Sequence, residues 1–341
     1  MSARGDFRPR SVHDKTEMKG CGTVLIAYKH DEDQILQEVV PEAAEKGSWL
    51  NVVHPTEEEL VRLAKITPIP IEDFRSALDP EERSHVELED DYIFVVINTP
   101  VVRETEDSYD ALPLGIFITE KHFITVCLEE SAVLAPFRGN TYNTFRTYKK
   151  TRFLFQLMNR TATLFLQALG KINKRTDVIE ARLRETAENK EFFQLLELSK
   201  SLTYFTSALK ANGVVMERLL RLRNNVQPRP LLKMYEEDED LLEDVIIENK
   251  QAIEMVQMYS QNSNSMMDTF ASIISNNLSQ VMKLLTSVTI LLAVPTLVFS
   301  LWGINTDVPW EGQMSGFWGV IGISFVSTVV ALFILWRRHY L

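Results

Sequence analysis

Two stretches near the end of the chain break with everything before them. No charged residue lies between Lys283 and Asp307, and none between Glu311 and Arg337; residues 317–336 (FWGVIGISFVSTVVALFILW) form one uncharged apolar run. About 20 residues at 1.5 Å each cross the hydrocarbon of a bilayer. The pattern therefore predicts two membrane-spanning helices, 284–302 and 317–336, joined by a loop at 303–316. Lys283 precedes the first span, Arg337, Arg338 and His339 follow the second, and the loop carries Asp307 and Glu311 but no Lys or Arg. The positive-inside rule then places both termini, including the basic segment 337–341, in the cytoplasm and the loop outside a cell (inner or plasma) membrane. Trp302, Trp310, Trp318 and Trp336 fall near the expected boundaries, where indoles prefer to lie.

The rest of the chain reads as a cytoplasmic part with two textures. Residues 21–139 predict an α/β domain, with β-rich runs at 23–28, 50–53, 92–101 and 114–128 and helical patterns at 56–66 and 71–78. Residues 140–230 predict a helical hairpin from long apolar-periodic stretches at 153–186 and 191–224, ended by Gln227-Pro228-Arg229-Pro230. No Gly or Pro follows Pro230 until Pro295. Residues 231–283 thus predict a stalk helix that runs on into the first span, one helix over about 241–301 and roughly 90 Å long. The alternative is two helices with an Asn/Ser-rich turn at 261–265. Residues 1–20 lack an apolar core, do not read as a secretory signal and are expected to be a mobile tail, with Met18 an alternative start. The expected class is an α+β membrane protein: N-terminal α/β domain, long helical hairpin, stalk helix and terminal two-helix hairpin.

The first span is apolar on average but not all round. Thr286, Thr289, Ala293, Thr296 and Ser300 recur at spacings of 3, 4, 3 and 4, which keeps them on one helix face. The same face continues toward the cytoplasm through Met282, Ser279, Ser275, Ser272 and Asp268. Lipid does not select small hydroxyl side chains; such a face packs closely against another helix or lines water. Two helices per chain cannot enclose a pore, so a water-lined stripe requires several copies around an axis. Asp268 would then form a carboxylate ring, which favours cations.

Net charge agrees with a cationic ligand: 36 Lys and Arg against 47 Asp and Glu give −11, which argues against general nucleic-acid binding. Cys21 and Cys127 share no metal-ligand spacing and make no disulfide scaffold. No HExxH, CxxC, nucleophile elbow or P-loop is present, and the six His are scattered, so an enzyme is not expected and no organic cofactor is implied. The run Glu236-Glu237-Asp238-Glu239-Asp240, followed by Glu243-Asp244, is either a solvated helix start or a cation reservoir.

Val281-Met282-Lys283-Leu284-Leu285-Thr286 opens the first span, and Trp302-Gly303-Ile304-Asn305 closes it. With a second span ending in basic residues, this resembles the CorA family of divalent-cation channels over nearly the whole chain. The resemblance implies a homopentamer in the bilayer with a pore built from the first span. It implies that Gly303, Ile304 and Asn305 stand at the family's Gly-Met-Asn signature, with Asn305 receiving the hydrated ion at the outer mouth. It implies a pore-lining hydroxyl at Thr296, apolar constrictions at Met282, Leu285 and Ala293, and a cytoplasmic Asp at Asp268. Leu285 or Thr286 faces the axis according to the winding of the helix. It also implies regulatory Mg2+ sites between subunits, for which Asp73 and Asp244 are the candidates.

Gly-Ile-Asn in place of Gly-Met-Asn resembles the zinc-transporting ZntB branch, and Ala293 replaces a bulky residue. Against zinc, no His or Cys lies on the first span, the loop or the stalk. An amide ring at Asn305 suits a hard ion that keeps its water. The sequence thus points to Mg2+ transported down its electrochemical gradient. Zn2+, Co2+ or Ni2+, with or without proton coupling, are the alternatives. A membrane-anchored scaffold whose stripe only packs helices is the alternative of a different class.

Overall fold

The computed structural model describes residues 24–31, 35–103, 108–138, 145–186, 189–222, 231–304 and 314–338. It divides into two compact units, Met1–Thr176 with Leu196–Ser260 and Asp177–Leu195 with Gln261–Leu341.

The first unit is built on a seven-stranded sheet. Its strands are β1 (Val24–His30), β2 (Leu36–Val39), β3 (Ser48–Val53), β4 (His85–Leu88), β5 (Tyr92–Arg103), β6 (Ser108–Thr119) and β7 (His122–Cys127), in the order β2-β1-β3-β7-β6-β5-β4. Among the described strands only the pair β3–β7 is parallel. Both faces of the sheet are covered, so β3 and β7 are buried at every residue. Residues of α1 (Glu57–Ile66) and α2 (Ile71–Ser76) pack on one face through Leu60, Leu63 and Phe74, against Leu50, Phe94 and Phe117. The other face carries Trp49 and Phe123 against Phe153 and Leu157 of α4 (Lys150–Thr186), Leu219 of α5 (Asn189–Leu222) and Leu242 of α6 (Glu236–Trp302). A single turn, α3 (Ala135–Arg138), adds Phe137 to that cluster.

The run at 114–128 is two strands rather than one. The chain reverses at Glu120-Lys121, so that Leu114 lies opposite Cys127. No Gly, Pro or Asn marks the turn; Thr119 makes it instead, its Oγ1 accepting from the His122 amide at 2.9 Å. The edge strands β2 and β4 are four residues each; β2 (LQEV) carries no alternation, and the polar-apolar alternation of β4 (HVEL) is too short to read as a strand.

Polar side chains lock the helices to the sheet. Asn212 of α5 is fully buried; its Oδ1 accepts from Ser84 Oγ at 2.7 Å and from the Asn98 amide at 2.9 Å, and its Nδ2 donates to the Asn98 carbonyl at 2.8 Å. Next to it, Gly213 lets Asn249 of α6 approach: a Cβ at 213 would stand 3.1 Å from Asn249 Nδ2, which donates to the Leu209 carbonyl. Asn212→Leu takes away the acceptor of the Ser84 hydroxyl proton and the side-chain donor to the Asn98 carbonyl, at about 1–3 kcal/mol for each, while Ser84 Oγ still accepts from Asn98 Nδ2 at 2.9 Å. The expected result is a clearly lower thermal midpoint of the full chain in detergent; an unchanged midpoint would show that the cluster is not structural.

The second unit holds the apolar helices. α6 is a single 67-residue helix, helical through 261–265, so the two-helix alternative does not occur. Pro295 removes one backbone bond inside it without ending it. α7 (Met314–Arg337) follows. Only 6% of the most apolar window of α6 and 17% of that of α7 is buried. Core helices of a soluble domain would be covered, and a soluble surface does not carry two bare apolar helices. The chain is an α+β membrane protein.

Candidate functional site

Within the membrane part, the covered face of α6 is defined by Ser287, fully buried, with Leu291, Val294, Pro295, Val298 and Trp302 partly buried. At 100° per residue these positions lie roughly opposite Thr286, Thr289, Ala293, Thr296 and Ser300, all of which are exposed. The hydroxyl stripe is therefore not the face that packs within the chain. Thr289, Ala293, Thr296 and Ser300, flanked by Leu292, Leu297 and Leu301, line an open groove of about 600 Å³. Thr289 Oγ1 donates to the Leu285 carbonyl and Thr296 Oγ1 to the Leu292 carbonyl, each at 2.8 Å. Each hydroxyl proton is thus taken by the backbone, and the oxygen lone pairs remain to accept hydrogen bonds from water. On α7 the buried positions Gly316, Val320 and Ser324 recur every four residues, small enough for close helix packing.

On the N-terminal side of the apolar segment of α6, every residue from 271 to 286 is exposed, including Ser279, Met282 and Leu285. Asp268 is exposed as well, its backbone carbonyl accepting from Ser272 Oγ at 2.9 Å. At its C-terminal end α6 stops at Trp302, where the Gly303 amide donates to the carbonyls of Phe299 at 3.0 Å and Ser300 at 3.2 Å. Ile304 is exposed. Asn305 lies outside the described residues, as do Trp310 and His339.

A second site lies in the first unit. Glu72, Asp73, Glu82, Glu87 and Glu89 line a cleft of about 760 Å³ that also holds His85 and Arg218. Asp73 sits in the first turn of α2, and α2 can lie close to the sheet because residue 115 of β6 is glycine. A Cβ there would stand 2.4 Å from the Cβ of Ala77. This seating brings Asp73 Oδ2 onto the hydroxyl of Tyr92, which donates to it. Burial, and then the bond to Asp73, push the Tyr92 phenol well above its ordinary value, so it stays a donor. Asp244, the other sensor candidate, stands exposed on α6. Among the described residues no three His, Cys, Asp or Glu side chains are placed to hold a metal ion. A cation at Asp73 would therefore not be held by three such side chains of one chain.

The acidic run at the start of α6 has structural work. Asp238 is buried, and its Oδ2 accepts from the Tyr235 amide at 3.3 Å, closing the helix N-terminus. Arg152 of α4 pairs with Glu237 at 2.6 Å and holds that carboxyl below its usual range. Neither Arg152 nor Tyr92 stands out in the sequence, where both sit in ordinary helix and strand patterns.

The profile of the family described as CorA-like Mg2+ transporter protein matches residues 44–338. The chain belongs to this family. The matched span takes in Asp73, Asp244, α6 and α7. The cobalt/magnesium transport protein CorA of Methanocaldococcus jannaschii is 26% identical over 303 residues, covering 86% of this chain and 91% of that protein. The complete structure of the CorA magnesium transporter from that organism superposes with a TM-score of 0.80 at 24% identity, over 93% of this chain and 99% of the other. The ZntB cytoplasmic domain from Vibrio parahaemolyticus gives a TM-score of 0.56 at 12% identity, over 75% of this chain and 98% of that domain. At these identities the structural likeness establishes the fold, which the CorA-like family and the ZntB domain share.

Proposed function

We propose that the chain is a divalent-cation channel that admits hydrated Mg2+ to the cytoplasm and closes when internal Mg2+ is high. The observation that carries this reading is the hydroxyl stripe of α6, exposed on the face away from the one covered within the chain. One chain cannot surround an ion with it, and the bare segment 271–286 carries exposed Leu278, Val281, Leu284 and Leu285 that need neighbours. Both features are met by a homo-oligomer, a pentamer by family resemblance, with α6 around the axis. The termini lie in the cytoplasm, and Asn305 stands at the outer mouth. The apolar positions Met282, Leu285 and Ala293 narrow the path, and Asp268 concentrates cations below it.

An interior-negative potential is worth about 2.3 kcal/mol per charge per 100 mV, hence about 4.6 kcal/mol for a divalent ion, some three decades of accumulation. Influx needs a gate but no energy-consuming step. Oxygen groups that accept from water suit Mg2+, which sheds its shell reluctantly, better than Zn2+, which seeks His and Cys.

Uptake into proteoliposomes under an interior-negative potential tests the reading with Mg2+, Co2+, Ni2+ and Zn2+ in turn, with and without a pH gradient. Mg2+ is expected to enter at least as fast as the others, without need of protons. Dominant, proton-dependent Zn2+ uptake would favour the ZntB-like alternative, and absence of all flux would favour a scaffold. Thr296→Val keeps the side-chain volume and deletes the hydroxyl in every subunit. It is expected to lower Mg2+ flux about tenfold, a barrier rise of about 1.4 kcal/mol, with oligomer and thermal midpoint retained. Unaltered flux would mean that the stripe only packs helices.

A further inference from the structure

We infer that Tyr92 is a positioning residue for cation sensing: its hydroxyl holds Asp73 in the orientation that presents the other carboxylate oxygen to a cation. The inference rests on the reading of Asp73 as a regulatory ligand.

Asp73 is one of five carboxylates around a cleft that also holds His85 and the Arg218 guanidinium. Left to itself, an aspartate among like charges turns outward into solvent. Tyr92 prevents this. It is the first residue of β5, 7% exposed, and its ring lies 6.4 Å from that of Phe117, which in turn packs at 4.8 Å on Phe74 of α2. The phenol is thus fixed by the sheet and by the helix that carries Asp73. Its one proton is donated to Oδ2, which leaves Oδ1 and its lone pairs outside the bond. A carboxylate that binds a metal through one oxygen and accepts a hydrogen bond on the other is oriented before the ion arrives. Loss of such outer partners typically costs 10–100-fold in metal affinity.

The test uses the full chain in proteoliposomes, with the internal Mg2+ concentration at half closure as the readout and each variant scaled to its own maximum. Tyr92→Phe removes the hydroxyl and keeps the ring. It is expected to raise the half-closing Mg2+ concentration about tenfold. Tyr28→Phe, the same change at a buried tyrosine packed on Trp49 elsewhere in the sheet, is expected to leave that concentration in place. Thermal midpoints in chelator separate a sensing effect from lost stability. Asp73→Asn is expected to shift closure by itself, and Tyr92→Phe to add nothing to it. A normal half-closing concentration in Tyr92→Phe, with Asp73→Asn shifted, would overturn the role of Tyr92. A full further shift in the double variant would overturn it too, because Tyr92 would then act by another route. Normal closure in Asp73→Asn would instead overturn the sensor reading on which the inference stands.

Discussion

Asn305→Ala is expected to abolish Mg2+ flux while leaving the oligomer intact. On the proposed reading Asn305, two positions after Gly303 in the sequence, stands at the outer mouth in every copy. A divalent ion arriving there holds its first hydration shell tightly. An amide oxygen accepts hydrogen bonds from that shell and orients the ion without stripping it. Alanine removes the acceptor from all subunits at once, and no neighbour in Gly303-Ile304 supplies a side-chain oxygen. A loss of about two decades or more corresponds to about 2.7 kcal/mol or more at the barrier. Dye-reported uptake and size-exclusion elution of the same preparation check the two halves of the expectation. Near-normal uptake would mean that the Gly-Ile-Asn tripeptide does not act at the mouth of this chain.

The second large effect concerns closure. Asp73→Asn combined with Asp244→Asn is expected to leave the channel conducting at internal Mg2+ that closes the wild type. Mg2+ shifts the gate only so far as it binds the closed state more tightly than the open one. Moving a gate from 1:99 to 99:1 takes a preference of about 10⁴, which five equivalent sites supply with only about sixfold each. On the proposed sensor reading, bridging Asp73 of one copy to Asp244 of the next would give such a preference, because two bare carboxylates repel and a shared cation joins them. Amides neither repel nor hold Mg2+ strongly. Protection of the cytoplasmic part from protease by added Mg2+ should fall in parallel. If the double variant closes at the wild-type concentration, these residues are not the sensor. Asp238 and Glu237 are already committed to the helix start and to Arg152, which leaves Glu236 and Asp240 of the acidic run as the next to test.

The membrane helices and the stripe were legible because each is written locally. A charge-free run needs only counting, and hydroxyls at spacings of 3 and 4 need only the helical period. The long α6 was equally legible from the lack of Gly and Pro between Pro230 and Pro295. What stayed hidden depends on residues brought together from afar. Tyr92 meets Asp73 across 19 positions, and Asn212 meets Ser84 across 128. Nothing in the pattern around a strand tyrosine or a helix asparagine announces such a partner. The turn at Glu120-Lys121 was missed for a related reason: a threonine hydroxyl does the work that Gly or Asn usually does. Gly115, a glycine inside a strand, is explained only by Ala77 pressing against it.

Water access along α6 tests the ion path most directly. Cys21→Ser gives a background in which the remaining Cys127 is buried and its thiol is pushed up to about 12, far from reactive. Single cysteines are then placed on the stripe, as Thr289→Cys, Ala293→Cys, Thr296→Cys and Ser300→Cys, and off it, as Val288→Cys and Phe299→Cys. All six positions are exposed in the single chain, so only the assembly distinguishes them. A water-soluble, positively charged thiol reagent is expected to block Mg2+ flux through the stripe variants and to leave the Val288 and Phe299 variants conducting. Unblocked flux in the stripe variants, or equal block in both sets, would contradict an ion path along this face of α6.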